Sequence, residues 1–84
     1  MNKKIQITLL LIFEKPTRSD VRYDDLKSLL IALAASIREG RGSRTGFKYG
    51  DFSIHIHKPH PQKVLPKYIV ELARDFLKEI GVTP

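Results

Sequence analysis

The chain has 84 residues, no cysteine and a formal charge of +6 at pH 7. That length supports one modest core and excludes a second domain, while the lack of cysteine excludes disulfides and thiolate metal sites and suits a reducing, cytoplasmic setting. The excess of lysine and arginine favours polyanionic partners, of which nucleic acid is the commonest.

Near the start, Lys3 and Lys4 precede an apolar run over 5–13. The run is too short to cross a bilayer, and Glu14, Lys15 and Pro16 stand where an export signal would carry its small-residue cleavage site, so no membrane association is expected. Ile5, Leu9, Ile12 and Phe13 follow helical spacing and Pro16 closes the segment, which predicts a helix over 3–15. A buried strand over 5–13 is the other reading, because a short apolar run cannot be assigned by period alone. A polar link over 17–22 follows. A second helix is expected from about Asp24, whose carboxylate would cap the first amides while Tyr23 packs back from the preceding position. Leu26, Leu29, Leu30 and Leu33 form its buried stripe. Ile37, between Ser36 and Arg38, suggests a first strand that runs into the turn residues Gly40, Arg41, Gly42 and Ser43.

All three histidines and the densest basic chemistry fall within 40–61. Gly50-Asp51 is a two-residue linker of the kind that favours a II′ turn, and alternating sequence runs away from it on both sides, which predicts a hairpin. With Tyr49 opposite Phe52, Phe47 meets Ile54 and Thr45 meets Ile56 on a buried face. The aromatic residues of that face are therefore assigned to the core rather than to base stacking. The other face carries Arg44, Gly46, Lys48, Ser53, His55 and His57, with Arg44 directly across from His57. That face reads either as a plain solvated basic surface or as a site. Beyond it, Lys58, Pro59, His60 and Pro61 cannot continue strand pairing. A last helix begins near Pro66, with Ile69, Leu72, Ala73, Phe76, Leu77 and Ile80 on one stripe, and Gly81 ends it. The predicted fold is α+β, a three-stranded antiparallel sheet with its helices packed on one face and an extra N-terminal helix.

Other chemistries fit less well. The pair Gly40 and Gly42 is followed by strand, not by the helix of a phosphate loop, and Ser43 has no base beyond the histidines already named. His55 and His57 share a strand face, yet no cysteine joins them and Asp51 is the one acidic residue close by, so neither a metal site nor a cofactor is predicted.

The segments IFEKPTRSD, RYDDLKSLLIAL, EGRGSR, HKPHP and KEIGV together resemble the HicA family of small toxins from bacterial type II toxin-antitoxin modules. The likeness covers nearly the whole chain, and its sharper parts are Gly42-Ser43-Arg44 and Pro59-His60-Pro61. It implies one domain over 1–84 with its core at about 22–81 and a fold like that of double-stranded-RNA-binding domains. The activity implied is that of an mRNA interferase, a ribosome-independent endoribonuclease silenced by a HicB-type antitoxin. In the family a catalytic histidine usually follows the Gly-Ser pair, whereas here the position holds Arg44, which cannot exchange a proton near neutral pH but can bind phosphate. Metal-free RNA cleavage needs a base, an acid and positive charge at the phosphate. The candidate catalytic residues are accordingly His57 as proton carrier, His60 as its alternative within Pro-His-Pro, and Arg44 at the phosphate. The candidate RNA-binding residues are Arg41, Ser43, Arg44, Lys48, Lys58, Lys63 and Lys67. A non-catalytic RNA-binding or antitoxin-binding module of the same fold is the second reading, and a loop-shaping role is the plain alternative for His60.

Overall fold

The computed structural model describes residues 2–42 and 44–84. The elements run α1 (Lys3–Phe13), α2 (Tyr23–Ala32), β1 (Ser36–Glu39), β2 (Arg44–Tyr49), β3 (Phe52–His57) and α3 (Lys67–Glu79). The strands form one antiparallel sheet in the order β1-β2-β3. Phe47, Ile54 and Ile56 on its inner face join Leu26, Leu29, Leu30, Val70, Phe76 and Leu77 in the core. The opposite face is left to solvent.

The hairpin has the expected register, with Tyr49 paired to Phe52, Phe47 to Ile54, Thr45 to Ile56 and Arg44 to His57. Its reversal works because Gly50 takes a φ of +58°, which a side chain would oppose. Asp51 stays on the negative side, the pairing of signs that defines a II′ turn. One expectation for this face fails. Tyr49 and Phe52 lie on the helix side by parity, yet each is 42 % exposed, because they stand next to the turn at the end of the hairpin and only Phe47 is sealed in.

The segment over 5–13 is helical, which settles the choice against a strand. α1 starts at a cap, the side chain of Asn2 accepting from the Ile5 amide at 2.9 Å, and ends at Phe13, two residues short of the expected limit. Pro16 accounts for the early stop, since it disfavours helical backbone at Lys15. α2 begins at Tyr23, not Asp24, and no side chain caps it. Asp24 and Asp25 instead occupy the first turn, where their charge suits the helix dipole. The chain leaving the sheet supplies an acceptor here: the Tyr23 amide donates to the Lys63 carbonyl at 3.0 Å and the Leu65 amide to Val21 at 2.7 Å. The Tyr23 hydroxyl donates to Thr45 Oγ1 at 2.9 Å inside the core, tying α2 to β2.

α3 lies against β3, and α1 packs across α2 and α3. Two residues of α3 depart from the predicted stripe. Leu72 is 44 % exposed, while Arg74 is buried at 7 %. Arg74 is buried because it serves α1: its Nε donates to the Ile12 carbonyl at 2.9 Å, and its second terminal nitrogen donates to the Glu14 carbonyl at 3.2 Å and Thr17 Oγ1 at 3.1 Å. The last carbonyls of a helix have no partner of their own. A guanidinium from another helix satisfies them here and fixes α1 to the body.

Candidate functional site

The outer face of the sheet follows from the same register. Arg38 pairs with Gly46 on one side and His55 pairs with it on the other, while Ser36, Lys48 and Ser53 form the next row. Glycine at the centre leaves this face concave. The result is an open groove of about 940 Å³ whose lining includes Arg38, Arg41, Arg44, Lys48 and His55. Four cations thus face one carboxylate, that of Asp51 at the turn. Among the described residues, none of these four cations is held in an ion pair. Such a face attracts anions and has no internal partner to give up on binding one.

The residues expected in the site divide between four places. Arg44 and His57 are direct cross-strand partners, and both are exposed. Arg41 and Lys48 line the same groove as Arg44. His60 and Lys67 sit apart, in a smaller concavity of about 540 Å³ shaped by Pro59, Pro61 and Pro66. Lys58 is drawn to the helix side, its ammonium 5.9 Å from the centre of the Tyr23 ring, a distance at which a cation is attracted to the ring face. Lys63 is exposed beside the start of α2, which its carbonyl holds. Ser43 lies outside the described residues.

Two side chains in the groove were not among the candidates. Arg38 reaches it from β1 and His55 from β3. The signal for His55 was present, since the hairpin register sets it opposite Gly46, whereas Arg38 had none, because the spacing fixes no register between β1 and β2. His55 also lies unusually close. A Cβ added to Gly46 would stand 3.3 Å from His55 Cδ2 and 3.4 Å from Nε2, so the imidazole is folded over the bare backbone of β2. Among the described residues no group of three histidine, aspartate or glutamate side chains is gathered as a metal would require. No helix is long and apolar enough to cross a membrane.

Comparison with family models, with curated proteins and with solved structures returns no match to this chain.

Proposed function

We propose that this chain is a HicA-like endoribonuclease that binds single-stranded stretches of mRNA on the outer face of its sheet and cleaves them without a metal. The observation that carries the reading is the pairing of Arg44 with His57, both exposed, at the border of a cationic groove. The order α2-β1-β2-β3-α3 is also the order of a double-stranded-RNA-binding domain, with α1 as an addition, and so supports the family reading.

In the reaction the ribose 2′-oxygen attacks the adjacent phosphorus. The new P–O2′ bond forms as the P–O5′ bond breaks, leaving a 2′,3′-cyclic phosphate and a 5′-hydroxyl. The 2′-proton passes to an imidazole, assigned to His57, and the departing 5′-oxygen takes a proton from a second donor. Arg44 holds the phosphate as negative charge builds on it, a role that suits a permanently charged planar guanidinium. Arg41 and Lys48 track the backbone on either side. His60, with Lys67, is the alternative carrier and approaches from the loop that leaves the sheet. A HicB-type antitoxin is the protein partner this reading implies, covering the cationic face.

The purified protein, incubated with an mRNA transcript in the presence of a chelator, is expected to release fragments ending in 2′,3′-cyclic phosphate. His57→Ala is expected to slow that release by about 100-fold or more. Arg44 at the position of the family's histidine favours a second reading, a binding module that has lost the reaction. Intact RNA with salt-sensitive binding would establish that module instead. No affinity for RNA even at low salt would overturn both.

A further inference from the structure

Resting on the cleavage reading above, we infer that His55, folded over Gly46, is the second proton carrier, facing the same phosphodiester as His57. Transfer to the 2′-oxygen moves two protons, one off the nucleophile and one onto the leaving oxygen. Arg44 cannot supply either, because a guanidinium stays protonated. His60 lies in the other concavity. His55 and His57 are two residues apart on one strand, so their side chains leave the same face from points spaced roughly 7 Å apart. That spacing brackets a phosphate group.

The absence of a side chain at Gly46 is what aims His55. With Cδ2 and Nε2 only 3.3 and 3.4 Å from the position a Cβ would take, the ring fills the space over β2 instead of standing away from the sheet. Across that bare step lies Arg38, the other neighbour of Gly46. Neither ring nitrogen of His55 has a hydrogen-bond partner among the described residues, and the residue is exposed to solvent. The titratable and charged groups on the same face are Arg44 and Lys48 from the facing strand β2, Arg38 from β1 beyond it, Arg41 between β1 and β2, Asp51 at the turn, and His57 on its own strand. One imidazole takes the 2′-proton as P–O2′ forms. The other, entering the step protonated, gives its proton to O5′ as P–O5′ breaks, so the pair ends one proton transferred and none lost.

The test is the pH dependence of single-turnover cleavage. Wild type is expected to give a bell, with His55→Ala and His57→Ala each slowing the reaction by about 100-fold or more and each abolishing a different limb. Gly46→Ala keeps both imidazoles but crowds the His55 ring, so it should slow cleavage and disturb the limb that His55→Ala removes. Circular dichroism of each variant checks that the sheet is kept. If wild type cleaves while His55→Ala retains both limbs, His55 is not a carrier and the nuclease assignment survives without it. If wild type leaves the RNA intact, the nuclease assignment fails before any variant is compared, and the role of His55 fails with it.

Discussion

Ala34 and Gly81 occupy the same place in two helix endings. After α2 the Ala34 amide donates to the Ile31 carbonyl at 2.9 Å and Ala35 to Leu30 at 3.0 Å, and after α3 Gly81 donates to Lys78 at 3.1 Å and Val82 to Leu77 at 2.8 Å. Each ending needs one residue with positive φ, 67° at Ala34 and 83° at Gly81. Glycine takes that backbone freely, whereas an alanine there costs about 1–2 kcal/mol. Ala34→Gly should therefore stabilise the fold by about 1 kcal/mol, a rise in Tm of roughly 4–8 °C for a domain of this size. Thermal unfolding measures it, and a lower Tm would show that the added freedom of glycine in the unfolded chain outweighs the relief. At this scale the sequence was readable where a residue's local chemistry decides its role. Gly50 and Gly81 stand where turn and cap chemistry require them. Ala34 was not recognisable, because nothing in alanine itself announces a left-handed backbone.

Elements were legible to the extent that period or register defines them. The hairpin followed from alternation around Gly50 and Asp51, so that the partners of Arg44 and Gly46 could be named. Parity, however, assigns a side chain to a face without saying where along the strand the covering helices end, which is why Tyr49 and Phe52 emerge half exposed. The placement of α1 was beyond period altogether. It depends on Arg74, a charged residue within an apolar stripe, whose partners are backbone carbonyls some sixty positions away. Replacing Arg74 with Met keeps most of the packing volume and removes the donors, leaving carbonyls at the end of α1 without partners in the interior. Arg74→Met is expected to cost about 2–3 kcal/mol in urea unfolding. Amide exchange should accelerate in α1 more than in α3. Equal acceleration in both helices would mean that the guanidinium supports the whole body and does not tether α1.

Across the whole molecule, chemistry and packing are separated by the sheet. Helices take the inner face and its apolar side chains, and the outer face keeps Arg38, Arg44, Lys48, His55 and His57 together, with Asp51 at the turn as the carboxylate of the groove and no ion pair to these cations among the described residues. The α+β architecture and the solvent-facing pair of Arg44 and His57 could be derived from spacing alone. The grouping of the remaining basic residues could not. Lys58 is held over Tyr23 and His60 shares the smaller concavity with Lys67 because the proline-rich exit loop turns away from the groove, and its path depends on the bridge between Arg22 and Val64. Pairing between two such distant segments leaves no periodic trace in either. The reading of the molecule as an RNA-binding protein thus rests on one surface, the groove over Gly46.

That surface can be tested by titrating the isotopically labelled protein with a short single-stranded RNA blocked against cleavage by 2′-O-methylation, following amide and imidazole resonances. The expected result is a set of shifts centred on Arg38, Arg44, Gly46, Lys48, His55 and His57 that weakens steeply with added salt. Shifts confined to the helical side, around the exposed Tyr68 and Leu72, would contradict it.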